Sequence, residues 1–304
     1  MPALLLHLTV ADQIGDDSGN PLLAGLLGAS IRSQREAYLL GSILPDLPYH
    51  GAFWRQCGRH LMKMRYRDCP WGDLLHARGS ADLALGMLGY LHRSVLSESH
   101  RRSVIALLAG YLTHYAMDTV IHPEINTLVS ERWEREGTEP QALHSDVERW
   151  QSLFYHYDLL GEDITGTAYP RSLLAKVAGT GLVWPGLPAE LRRPIDAAFT
   201  YAHGKMPRPG QLRDWLRGVT EYGALMSSPL GRRIEGFGGD FEESRHRHYQ
   251  IPGTDLQLAV KSAKDRIVEI FGFTESLLDT EAYGPQARIN FYKVVPNLDL
   301  DSGR

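Results

Sequence analysis

The stretch Gly110-Tyr-Leu-Thr-His114-Tyr-Ala-Met-Asp118-Thr-Val-Ile-His122-Pro123 limits what this chain can fold into more than any other. The residues leading into it, Val104 to Leu112, are apolar except for Gly110. They predict a buried helix about four turns long. His114 and Asp118 stand four residues apart, so their side chains stack on one face. Pro123 disfavours the helical region for His122, and the helix is expected to end there. One helix then brings an imidazole, a carboxylate and a second imidazole to one place. An isolated buried carboxylate costs several kcal/mol unless it is paired or coordinated, and a metal ion is the simplest compensation.

The spacing recurs in His144-Ser-Asp-Val-Glu148. The segment from Glu139 to Leu160 has a helical pattern, with Leu143, Val147, Trp150, Leu153 and Phe154 apolar. Two His-x-x-x-acid pairs on neighbouring helices are what a metal cluster inside a bundle needs. His144 and Glu148 taken alone equally fit the i,i+4 pair of a surface helix.

At 304 residues the chain has room for a large core, and its formal net charge is −4. The arginine doublets at 101–102, 192–193 and 232–233 are scattered and form no basic stripe. Sequence-independent binding of duplex nucleic acid is not expected. Cys57 and Cys69 form neither a disulfide framework nor a CxxC site, and are read as reduced thiols. The opening residues lack a basic region, and His7 interrupts their short apolar run, unlike a signal peptide. With no run of about twenty apolar residues, no transmembrane segment is expected. A cytoplasmic protein is the expectation. Thirteen histidines point weakly to metal chemistry.

Taken in order, Leu4 to Ile14 predicts a short helix with His7 on its apolar side. Asn20-Pro21 suits a helix start, and one or two helices run from there to about Leu40. Asp46 follows between Pro45 and Pro48, in a turn. Residues 50 to 75 look irregular, with His50, Trp54, His60 and Trp71 exposed or at a pocket rim. A helix is expected from Ala81 to Leu96, with His92 on its surface. Beyond residue 160, helices are predicted at Pro170–Ala178, Pro188–His203, Pro209–Met226 and Leu256–Leu278. Gly236 to Tyr249 reads as a loop carrying His246 and His248, and Phe291 to Val295 as the one short strand candidate. The expected architecture is a single all-α domain over residues 1–304, with its metal site within 1–150. Residues 160–298 pack on or cover the site, and 299–304 form a flexible tail.

Laid out this way, the sequence resembles the zinc-dependent phospholipase C family, in particular its bacterial branch without a secretion signal. The matching pieces are Met-Pro-x4-His7, Leu-Gly-x3-Pro45-Asp46, Gly72-Asp-Leu-Leu-His76, Gly110-Tyr-Leu-Thr-His114-x3-Asp118-x3-His122-Pro123 and His144-x3-Glu148. They keep the family's order across the first half of the chain. The resemblance implies an all-α bundle, of the fold shared with single-strand-specific nucleases, around a multinuclear zinc site. It implies one zinc ion held by Asp46, His76, His114 and Asp118, and a second by His122, His144 and Glu148. A third would use His7, with Asp118 bridging. In secreted members the mature N-terminal Trp also serves that third position. This chain has no such Trp, and Pro2, if Met1 is removed, would offer an amine instead. His60 is a rival to His76, whose Gly-x-x-x-His context is the family's.

Zinc lowers the pKa of bound water and neutralises charge on a phosphoryl oxygen. The implied activity is phosphoester hydrolysis, a step of lipid metabolism that releases diacylglycerol and a phosphorylated head group from a phospholipid. Asp46 is the candidate to orient or deprotonate the attacking water. Tyr49, Trp54 and Tyr115 are candidates to line the substrate pocket, with core packing an equal alternative for Tyr115. One alternative is a nuclease-like phosphodiesterase of the same fold. Another is a non-catalytic, metal-stabilised binding or structural protein. The adjacent His-Asp pair of HD-type phosphohydrolases is absent.

Overall fold

The computed structural model describes residues 3–17, 23–61, 69–136, 140–178, 187, 189–236, 241–249, 255–278 and 283–303. The first half contributes α1 (Ala3–Asp16), α2 (Leu26–Ser33), α3 (Arg35–Gly41), a 3-10 turn (Leu47–His50), α4 (Phe53–Leu61), α5 (Pro70–Ala77), α6 (Ser80–Arg93), α7 (Glu98–Glu136) and α8 (Pro140–Leu160). The second contributes α9 (Tyr169–Ala178), α10 (Ala189–His203), α11 (Pro209–Met226), α12 (Pro229–Glu235), α13 (Phe241–His248), α14 (Leu256–Leu278) and α15 (Pro285–Val294). No strand occurs among the described residues: the fold is an all-α, multi-helix bundle. The buried apolar side chains form one cluster that runs from Leu4 to Leu300.

The bundle is built around α7, which packs against α1, α2, α3, α6, α8, α10 and α14. Val104 to Leu112 and Tyr115 to Met117 are buried on every side, as expected of a helix that is apolar all round. An 18-residue window within Glu98–Glu131 has a mean hydropathy of 1.4, long and apolar enough to cross a membrane, and 89% of it is buried inside the fold. Its neighbouring helices cover the surface that lipid would otherwise cover.

Several expectations are corrected. Pro123 does not end the central helix: α7 continues through it for three more turns. An interior proline costs about 3 kcal/mol. Beyond it Ile125, Leu128 and Val129 are buried, each contributing about 1.5–3 kcal/mol, so packing outweighs the lost backbone bond. Of the one or two helices expected up to Leu40, there are two, α2 and α3, separated at Gln34 with φ −130 and ψ 49. Residues 20 and 21 lie outside the described residues. The stretch 50–75 is not irregular throughout, since it contains α4 and most of α5, and His50 is buried. The side chains of His60 and His248 lie outside the described residues.

Phe291 to Val295 is not a strand. A short apolar run fits either element, and here Pro285 starts a helix that buries Phe291. Residues 241–248 form α13, helped by Glu242 and Glu243 in its first turn. Residues 299–303, expected within a flexible tail, are held in place: Leu300 is fully buried and its backbone N–H donates to the His76 carbonyl at 2.7 Å.

Two glycines set how closely α3 meets α7. A Cβ on Gly110 would lie 1.9 Å from the Tyr38 carbonyl oxygen, and one on Gly41 would lie 2.1 Å from that of Leu107. Backbone therefore touches backbone at this crossing, and Ser42 arrives beside His114. Overpacking such a contact costs about 1–3 kcal/mol. Gly110→Ala is expected to lower stability by at least that much in urea unfolding; unchanged stability would contradict the close crossing.

Candidate metal centre

Five elements converge on one region. The N-terminal helix α1 supplies His7, the turn after α3 supplies Asp46, and α5 supplies His76. The central helix supplies His114, Asp118 and His122 on one face, and α8 supplies His144 and Glu148. These residues form three groups able to hold a metal ion: His7/Asp46/His114, His76/His114/Asp118 and His122/His144/Glu148. The ligand atoms within each group lie within 4.8 Å of one another.

The last group has the membership expected for the second zinc. The four residues expected to share the first zinc are divided between the other two groups, with His114 common to both. His7 joins Asp46 and His114, and its Nε2 is also 3.0 Å from Asp118 Oδ1. Met1 and Pro2 lie outside the described residues. A cavity of about 20 Å³ is lined by residues of more than one group, with His7, Asp118, His122, Glu148 and Gln151 among apolar side chains such as Ile121. That is room for one small occupant.

The orientation of the imidazoles is the informative feature. His76 Nδ1–H donates to the Gly72 carbonyl at 2.9 Å, and His114 Nδ1–H to that of Ser42 at 3.0 Å. His122 Nδ1–H donates to the Leu300 carbonyl, and His144 Nδ1–H to Asn126 Oδ1 at 3.2 Å. Each acceptor is a carbonyl oxygen, so the hydrogen sits on Nδ1. Every Nε2 is thereby turned toward a carboxylate. His76 Nε2 is 3.3 Å from Asp46 Oδ1, and His114 Nε2 is 2.8 Å from Asp118 Oδ2. His122 and His144 Nε2 lie 3.1 and 3.2 Å from the same oxygen, Glu148 Oε1.

A neutral imidazole so placed points a lone pair at an anion, which is unfavourable. Either a proton or a metal cation must lie between them. Close approach alone does not satisfy these atoms: His114 Nε2 and Asp118 Oδ2 are buried and lack hydrogen-bond geometry, as are His7 Nδ1 and Asp46 Oδ2. Imidazole nitrogens and carboxylate oxygens are the donors that zinc takes in multinuclear sites. The residues present fit the metal.

The electrostatics agree. Burial pushes Asp118 up, but the imidazoles of His114, His122 and His7 outweigh it and hold the carboxyl well below its usual range. Asp46 likewise falls to about 2 against its burial, chiefly through His114. Burial pulls His76 down, yet Asp46 raises it to about 9. His122 rises to about 10 against burial because of Asp118 and Glu148. Buried histidines elsewhere move the other way. His50, against Tyr222, and His156, between Thr9 and the Ser152 carbonyl, are both pushed down to about 4 by burial.

The remaining candidates are placed as follows. Tyr49 sets its ring 5.5 Å from that of His76 and donates to Asp73 Oδ1 at 3.3 Å, so it stands beside the centre. Trp54 is 54% exposed and packs edge-on against Phe53. Of the two roles open to Tyr115, the structure shows the packing one: it is buried, and its hydroxyl donates to the Pro296 carbonyl at 2.9 Å. His92 is stacked on Tyr283, away from the cluster, and His246 is exposed on α13.

Sequence reasoning missed Asn126, Gln151 and the carbonyls of Ser42, Gly72 and Leu300. Asn126 stands one turn beyond His122, a signal legible only once the helix is known to continue past Pro123. Backbone carbonyls leave no trace in sequence.

A helical bundle that gathers clustered histidines and carboxylates able to chelate several metal ions defines the class. Residues 6–174, more than half of the chain, match the family model for zinc dependent phospholipase C, and the chain belongs to that family. Neither the curated proteins nor the solved structures contain a match.

Two outcomes are expected. The metal-free chain owes stability to His76 and His122, whose raised values of about 9 and about 10 mean that they bind protons more tightly when folded. That stability is fully present below the unfolded value of about 6.5 and is lost as pH rises through about 9–10. Zinc displaces the same protons, so calorimetry at neutral pH in buffers of different ionisation enthalpy should show proton release. No buffer dependence would contradict the lone-pair arrangement. Separately, Asp118→Asn keeps the shape but removes the charge, and is expected to lower zinc content by one ion per chain in elemental analysis. Equal stoichiometry would exclude Asp118 as an essential ligand.

Proposed function

We propose that this chain is a zinc-dependent phosphoester hydrolase of phospholipase C type. On this proposal it cleaves a phospholipid to diacylglycerol and a phosphorylated head group. The observation that carries it is the set of imidazoles whose Nδ1–H groups are committed to carbonyl oxygens while their Nε2 atoms face shared carboxylates. Family membership supports the same activity.

Zinc ions held by these groups would supply an activated water and neutralise charge on the phosphoryl oxygens. His76, His114 and Asp118 would hold one ion, and His122, His144 and Glu148 another. A third position falls to His7, with Asp46 and His114 beside it. Asp118 is sealed from solvent, with a side-chain exposure of 3%, and suits a ligand that bridges positions. Asp46 is more open at 15%, and its Oδ2 has no hydrogen-bond partner. We assign Asp46 the task of orienting the attacking water and accepting its proton. Tyr49, beside His76, would form part of the wall that the substrate meets.

The test is a zinc-loaded chain assayed on phosphatidylcholine vesicles, on a small phosphodiester and on single-stranded DNA. Diacylglycerol release that chelation abolishes is expected. Asp46→Asn should lower kcat by about 10²–10⁴, the range for loss of a general base, with helical content retained. Preferential cleavage of DNA would favour the nuclease-type alternative. A zinc-loaded chain that turns over no phosphoester would favour a metal-stabilised binding protein.

A further inference from the structure

Residues 298–303 lie outside the part of the chain that matches the family, which ends at residue 174, yet they touch the centre at three points. The Leu300 carbonyl accepts from His122 Nδ1. The Leu300 N–H donates to the carbonyl of His76 at 2.7 Å. The Asp301 carbonyl accepts from Asn126 Nδ2 at 2.5 Å, and Asn126 Oδ1 in turn accepts from His144 Nδ1. Because Asn126 Nδ2 donates to Asp301, its Oδ1 is left to face His144. A single short segment thus determines which nitrogen of both His122 and His144 carries the hydrogen.

The segment is seated by specific contacts. Ser80 Oγ accepts from Leu298 N at 3.0 Å and donates to Leu298 O at 2.7 Å. Asn297 Oδ1 accepts from the N–H groups of Ala81 and Asp82 that begin α6. Leu300 is fully buried. The turn closes where Ser302 N donates to Asp299 Oδ1 at 2.9 Å and Gly303 N to Asp299 O at 2.7 Å. Gly303 has φ +70, and a Cβ there would lie 2.6 Å from Pro123 Cγ and 2.9 Å from the Thr119 carbonyl oxygen. That carbonyl is the one whose helical donor Pro123 lacks. Glycine and proline fit against each other where the segment crosses α7.

We propose that residues 298–303 act as a strap that positions the second metal group. Through Leu300 on His122, and through Asp301 and Asn126 on His144, it aims both Nε2 lone pairs at the position faced by Glu148. Its bond to the His76 carbonyl ties that group to the first. Asn126 and the strap's backbone groups act through the histidines they hold and are positioning elements. The proposal rests on the metal-centre reading above. Outer partners of metal-ligating histidines are worth about 10–100-fold in metal affinity.

Two variants outside the ligand set test it. Gly303→Val unseats the strap where it crosses Pro123, and Asn126→Ala cuts the link to His144 at a helical position that favours alanine. Zinc affinity is read by competition with a chromophoric chelator, and ligand geometry by the absorption bands of the cobalt-substituted chain. In both variants one zinc should bind about 10–100-fold more weakly, with a changed cobalt spectrum, while circular dichroism retains the helices. A parent chain that takes up no zinc overturns the metal centre and this inference with it. A parent chain that binds zinc, with variants whose affinities and cobalt spectra match it, overturns the strap's role alone, whatever happens to thermal stability.

Discussion

The charge on Asp118 is the constraint on which the rest depends. It sits in the middle of the longest helix, in an interior where removing an anion from water costs several kcal/mol. Its two oxygens are shared among three histidines, with His7 at 3.0 Å from Oδ1 and His114 and His76 at 2.8 and 3.8 Å from Oδ2. Those residues come from α1, α7 and α5. Neutralising one carboxylate therefore ties the start of the chain, the central helix and a short connecting helix to one another. His122, one turn further along α7, carries the same logic to Glu148 on α8.

Backbone groups do much of the aiming. The glycine contact between α3 and α7 places the Ser42 carbonyl against His114, and the last turn of α5 folds the Gly72 carbonyl onto His76. Each imidazole held in this way has one hydrogen committed and one lone pair presented. The contrast with His50 and His156 is instructive: both are as deeply buried, but among the described residues neither forms an ion pair with a carboxylate, and the pull of Asp46 on His50 does not offset its burial. Burial alone drives an imidazole neutral; only the paired carboxylates reverse the direction. The centre is thus distinguished electrostatically from ordinary core histidines, and a cation in place of the shared protons relieves the same strain.

Much of this was legible in the sequence. The i,i+4 spacing of His114 and Asp118 in an apolar run, and its repetition at His144 and Glu148, pointed to two helices facing each other across a metal group. The all-α class followed from helical periodicity in nearly every segment. What was not legible has physical reasons. Pro123 looks like a stop because its local cost is visible, whereas the burial of Ile125, Leu128 and Val129 that offsets it is tertiary. Tyr115 sits beside His114 in sequence yet points into the core, which only packing decides. The strap was invisible for a third reason: Leu300 and Asp301 act through main-chain carbonyls, and a short polar segment rich in Asp, Ser and Gly reads as a tail.

The central claim is that zinc takes the place of the protons between these histidines and carboxylates. Anomalous scattering at the zinc edge from crystals of the native chain tests it most directly. Peaks are expected within bonding distance of His76 Nε2, His114 Nε2 and Asp118, and of His122 Nε2, His144 Nε2 and Glu148. Zinc-replete crystals with no anomalous peak at either group, or with peaks only at other histidines, would contradict it.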